Sequence, residues 1–186
     1  GKGHNGDDVR AVANHLPERE VSLLSVTDPA KTRQKLPLDL DPAPALVVDG
    51  LFGIGLNRPL NADWMQVIAQ VNAKRLRVLS VDVPSGVDAA TGEMQGAAIR
   101  ATETLTLGAA KRGLLQPSAS EFVGQLRVAP DIGLAPCRET SDLLLGQAED
   151  FTGFPPARPA GAPGARGAGT ASGQAGGPAG ARRALV

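Results

Sequence analysis

Residues 45–55, ALVVDGLFGIG, run apolar from Ala45 to Val48, meet a carboxylate at Asp49 and then break into Gly50, Gly53 and Gly55. A short continuous apolar run closed by Asp and Gly is the pattern of a strand buried on both faces. Residues 77–86, RVLSVDVPSG, repeat it and close on Asp82 and a tight Pro-Ser-Gly turn. EVSLLSV at 20–26, ATETLTLG at 101–108 and QLRVAPDIG at 125–133 are further strand candidates. Between them, NADWMQVIAQVNA at 61–73 places Trp64, Val67, Ile68 and Val71 on one helical face, with Asn61 as its N-cap. VRAVANHL at 9–16 predicts another helix, ended by Pro17. Residues 27–45 read mostly as loop. This alternation of helices with apolar strands predicts an α/β fold with a parallel sheet covered on both faces.

Composition narrows the function classes. Lys and Arg number 19 against 19 Asp and Glu, so no global basic footprint for nucleic acid exists. No stretch of about 18 apolar residues predicts a membrane span. A lone cysteine, Cys137, excludes an internal disulfide framework and suits a reducing, cytoplasmic compartment. Between Pro155 and Ala181, 22 of 27 residues are Gly, Ala or Pro, which predicts disorder for a tail over 155–186. Residues 137–154 read as a linker, and 1–136 as one domain.

Three loops carry the chemistry: Gly1–Asp8, Asp49–Pro59 and Asp82–Asp88. In an open parallel sheet, ligands bind beyond the carboxyl ends of the strands, where these loops gather. Gly53 and Gly55 permit close backbone approach, and Arg58 suits a phosphate. The Asn5 amide, the Asp49 carboxylate and the Ser85 hydroxyl are hard oxygen donors, which suit a hard cation rather than zinc or copper. His4 and His15 are the only histidines and lack partners for a metal site of their own. The opening GKGHNG also fits G-x-G-x-x-G, the dinucleotide fingerprint. A nicotinamide-dependent dehydrogenase would need an acidic residue at the end of EVSLLSV, where Asp28 comes late and beside a proline.

Taken in order, GKGHNGDD, VVDGLFGIGLNRPL, SVDVPSGVDAATGEMQG, AIRATETLTLGAAKRGLL and a closing G-x-L-x-V-x-x-D-I-G resemble the NAD(P)H-hydrate epimerases, the YjeF N-terminal domain family. The D-x-P-S-G-x-D-x-x-T-G-E stretch is the most specific part. The resemblance implies a Rossmann-like three-layer sandwich that interconverts the R and S forms of hydrated NADH and NADPH, feeding a partner dehydratase. It implies potassium ligands at Asn5, Asp49 and Ser85. It further implies substrate contacts at His4, Asn5, Gly6, Asp7 and Asp8, at Gly53, Ile54, Gly55, Leu56, Asn57, Arg58 and Pro59, and at Asp82. Asp82 is the candidate proton carrier, Lys111 is read as facing solvent, and the oligomeric state is left open, with a homodimer one option. A catalytically silent scaffold of the same fold is the alternative.

Departures from the family pattern set further expectations. The family loop reads G-x-G-N-N-G-G-D-G, so His4, Asp7 and Val9 stand at altered positions. Asp7 predicts repulsion of a phosphate together with backbone strain, and Val9 predicts a cost if its φ must be positive. The strand that should feed the first loop is absent, so the chain reads as an N-terminally truncated fragment with unpaired backbone in its sheet. FTGFPPARPA resembles the linker to a dehydratase in bifunctional relatives.

Overall fold

The computed structural model describes residues 1, 3–32, 36, 44–133 and 184–185. Its elements are α1 (His4–Asn14), β1 (Val21–Ser22), α2 (Pro29–Thr32), β2 (Leu46–Asp49), α3 (Ala62–Ala73), β3 (Val78–Val81), β4 (Glu103–Leu107), α4 (Ser120–Val123), β5 (Gln125–Ala129) and β6 (Ala184–Leu185), with 3-10 turns at Arg112–Leu115 and Pro117–Ala119. The strands form one sheet in the order β1-β6-β2-β3-β4-β5, and every pairing is parallel. The expected linker lies outside the described residues, as does the tail apart from Ala184–Leu185. That dipeptide pairs with β1 on one side and with β2 on the other. An apolar cavity lies between residues 23–26 and β2, lined by Leu24, Val26, Val47, Val48, Val67 and Ile99.

Period-two alternation along β2 explains the three layers. Val47 points into a cluster with Ile68 and Val71 of α3, Val78 and Ile99. Val48, one residue on, packs on the opposite face with Val9 of α1 and Val81. Helices therefore cover both faces, as a parallel sheet requires. A third cluster, built from Val83, Val87, Leu114 and Phe122, closes the β5 side.

Helix α3 forms as expected: the Asn61 side chain accepts from the Trp64 N–H at 3.0 Å, capping an orphan donor. Helix α1 differs from expectation, because it begins at His4 rather than at Val9. Gly3 is extended (φ −99°, ψ −178°) and acts as its N-cap, with its carbonyl accepting from the Gly6 and Asp7 amides at 2.9 and 3.2 Å. Asp7 and Val9 are thus ordinary helical residues, neither at positive φ. The strain expected of them is absent. Asp7 lies on the exposed side of α1, paired with Arg10, whose guanidinium holds the Asp7 carboxyl below the usual range. Val9 is 5% exposed and belongs to the core. No helix among the described residues is long and apolar enough to cross a membrane.

Candidate active site

The parallel register aligns the strand ends, so the loops after β2 and β3 and the start of α1 meet on one rim. Asp49, the last residue of β2, is 4% exposed and its carboxylate accepts four hydrogen bonds. Its Oδ1 accepts from the Ser85 hydroxyl at 2.6 Å and from the Leu51 N–H at 3.3 Å. Its Oδ2 accepts from the Ser85 N–H and the Ser80 hydroxyl, both at 2.9 Å. Burial pushes the Asp49 carboxyl above its ordinary value, and the bonds from Ser85, Ser80 and Leu51 oppose that shift.

Asn5 enters from α1. Its Nδ2 donates to the Phe52 carbonyl at 2.8 Å, and Gly53 permits the approach, since a Cβ there would lie 3.0 Å from the Asn5 Cβ. The Phe52 N–H donates to Ser85 Oγ at 2.9 Å. Ser85 Oγ also lies 3.3 Å from the Phe52 carbonyl, but its one proton goes to Asp49, the nearer acceptor. Asn5 Oδ1 is buried and has no hydrogen-bond partner among the described residues. Reversing the amide would set oxygen against the Phe52 carbonyl, so the orientation follows from the network. A buried oxygen without a donor, beside a backbone carbonyl and a serine hydroxyl, is an environment suited to a cation.

Above this network opens a cleft of about 840 Å³, within the range of small-molecule sites. Of the expected contacts, His4, Asn5, Asp8, all of residues 53–59 and Asp82 line it. Gly6, Asp7, Asp49 and Ser85 do not. Gly6 is buried against Gly1, where a Cβ would meet the Gly1 carbonyl oxygen at 2.4 Å. Trp64 joins the wall, its ring edge-to-face with Phe52 at a centroid distance of 4.7 Å.

Asp82 follows β3 with φ 67°, a left-handed conformation that Asp tolerates better than most residues. Its Oδ1 accepts from the Leu107 N–H at 3.0 Å and the Thr106 hydroxyl at 3.3 Å, and it is paired with the Lys111 ammonium. Lys111 is not the solvent-facing side chain expected of the K-x-G-L turn. Its side chain is 20% exposed, and it also donates to the Leu107 carbonyl at 2.7 Å. Ser80, Trp64, Thr106, Lys111 and the Phe52 carbonyl are among the parts of the site that the motifs did not reveal.

A parallel α/β sheet with a deep cleft beyond its strand ends defines a Rossmann-like small-molecule-binding domain. The family model described as YjeF-related protein N-terminus matches residues 23–113. An NAD(P)H-hydrate epimerase of Limosilactobacillus fermentum is 34% identical over 72% of this chain and 73% of its own length. One of Bordetella bronchiseptica is 38% identical over 73% of the chain and 68% of its own. A bifunctional NAD(P)H-hydrate repair enzyme of Gloeobacter violaceus is 36% identical over 86% of the chain, which spans 36% of that longer protein. The chain belongs to the NAD(P)H-hydrate epimerase family.

Proposed function

We propose that this chain is an isomerase that interconverts the R and S forms of hydrated NADH and NADPH in nicotinamide cofactor repair. The observation that carries this reading is Asp82, held by Oδ1 at the wall of the cleft while Oδ2 takes no hydrogen bond among the described residues. The substrate carbon to be inverted bears a hydroxyl and the ring nitrogen. One of these two bonds must break and reform, and in either case a proton moves at the hydroxyl. If the carbon–nitrogen bond breaks, Asp82 Oδ2 takes the hydroxyl proton as the carbonyl forms and passes it to the nitrogen that keeps the bonding pair, and reclosure on the other face reverses both transfers. If the carbon–oxygen bond breaks, a protonated Asp82 gives its proton to the departing hydroxyl and recovers it from the water that adds to the other face. The 53–59 loop supports the dinucleotide, with its glycines admitting the backbone and Arg58 offering a cation to the pyrophosphate.

Asn5, Ser85 and Asp49, with the Phe52 carbonyl, would hold potassium, which supplies positive charge that offsets the carboxylates of this rim. Asn5 Oδ1 supports this assignment because it is buried without a donor among the described residues. The S form released here suits a dehydratase as functional partner, in line with the bifunctional name of the Gloeobacter relative. A lone cysteine supports a reducing, cytoplasmic setting.

The test follows the two epimers of NADHX with and without potassium. Acceleration of their interconversion over the spontaneous rate is expected, with a larger effect in potassium. No acceleration together with no NADHX binding would leave a silent scaffold.

A further inference from the structure

Lys111 stands behind Asp82 and does not line the cleft. Its surroundings hold it there. Gly113 lies so close to the Asp88–Ala89 backbone that a Cβ would meet the Asp88 carbonyl oxygen at 2.4 Å, which fixes the Arg112–Leu115 turn on the loop after Ser85. Leu114, 4% exposed, seals the same turn into the core, and its N–H donates to the Lys111 carbonyl at 3.0 Å. At the other end, the Lys111 ammonium donates to the Leu107 carbonyl, and the Leu107 N–H donates to Asp82 Oδ1. The ammonium therefore closes a ring through the end of β4 to the Asp82 carboxylate. The Lys111 ammonium and the Leu107 N–H converge on Oδ1, and the Thr106 hydroxyl lies 3.3 Å from that oxygen and 3.3 Å from the Ala109 carbonyl.

We propose that Lys111 is a positioning residue for the epimerisation: by holding Oδ1 it presents Asp82 Oδ2 to the substrate hydroxyl in one orientation. This inference rests on the assignment of Asp82 as the proton carrier. A lysine serving only the turn would bond the Leu107 carbonyl and leave the carboxylate alone. Lys111 bonds both. The ion pair is four-fifths shielded on each side, with side chains 20% and 14% exposed, so solvent screening does not erase it as it does a surface pair.

The test compares Lys111→Met, Lys111→Arg and Asp82→Asn in full-length protein, with rates normalised to folded molecules. For Lys111→Met, kcat is expected to fall about tenfold or more with KM unchanged, the scale of one lost charge-assisted contact. Lys111→Arg, which keeps the charge and the donors, restores most of the rate. Should Lys111→Met fail to fold, Lys111→Gln, which keeps an N–H for the Leu107 carbonyl without the charge, decides instead. Unchanged kcat per folded molecule in the charge-free variant overturns the proposal, as does a rise in KM with kcat retained. The underlying assignment is read separately: near-normal turnover in Asp82→Asn removes Asp82 from the mechanism, and Lys111 with it. An inactive Asp82→Asn beside a fully active Lys111→Met overturns the positioning role alone.

Discussion

Ser85 clamps Asp49 twice, its hydroxyl 2.6 Å from Oδ1 and its backbone N–H 2.9 Å from Oδ2. The two residues are 36 positions apart, and both are at most 4% exposed. This one contact ties the loop after β3 to the end of β2, and the Ser85 oxygen passes the tie on to the Phe52 N–H.

Ser85→Ala therefore removes more than one hydrogen bond. It leaves Asp49 Oδ1 with only the 3.3 Å Leu51 contact and strips the Phe52 N–H of its acceptor. Leaving such buried groups unsatisfied costs about 1–3 kcal/mol each. Urea denaturation is expected to show at least the lower end of that range. A midpoint equal to the parent's would mean that the clamp contributes nothing to stability.

Asn5→Ala tests the cation pocket without relying on turnover. If Asn5 Oδ1 helps to hold potassium, the ion stabilises the parent protein and not the variant. A ligand at a hundredfold excess over its Kd stabilises by about 2.7 kcal/mol. Melting curves in potassium and in a bulky organic cation should therefore separate for the parent and coincide for Asn5→Ala. Equal potassium shifts in both proteins would place the ion elsewhere.

What the residues disclosed in advance and what they hid follows from how local each signal was. The strand at 46–49 and the helix at 62–73 carry their own apolar period and cap, so both were legible. The start of α1 was not, because a glycine-rich stretch reads as loop while the extended Gly3 turns it directly into helix. Lys111 escaped for a different reason. Its link to Asp82 spans 29 positions and depends on the β3–β4 register, which sets Val81 beside Leu105 and so brings Asp82 to Thr106 and Leu107. No spacing in the sequence encodes that register. The Phe52 carbonyl was invisible for a third reason: a backbone oxygen carries no residue-type signal.

Asp88 gives the loop after β3 a dependence on acid. Its Oδ1 accepts from the Thr91 and Ala90 N–H groups at 2.8 and 2.9 Å, and these bonds, Thr91's the larger, hold its carboxyl below the ordinary range. A carboxyl depressed on folding favours the folded state above its unfolded value of about 3.9. That contribution fades as pH falls through the lower folded value. The gap in Tm between the parent and Asp88→Asn should therefore be full near neutrality and shrink below about pH 4, the reference carboxylate value. A gap that stays constant down to the acid limit would show that the charge of Asp88 plays no part.

Trp64 offers a direct view of the cleft, because it is the only tryptophan in the chain and its ring both lines the site and meets Phe52. Binding of NADHX is expected to change its emission saturably, and Trp64→Phe should bind the same ligand without that signal. The edge-to-face pair has a second consequence. Phe52→Leu removes an aromatic contact worth about 0.5–1.5 kcal/mol beyond the area it buries. It keeps the backbone carbonyl that accepts from Asn5. The variant should lose stability on that scale and shift the Trp64 emission of the free protein, yet retain its potassium response. Loss of the potassium response in Phe52→Leu would mean that the ring itself, and not only its carbonyl, supports the cation pocket.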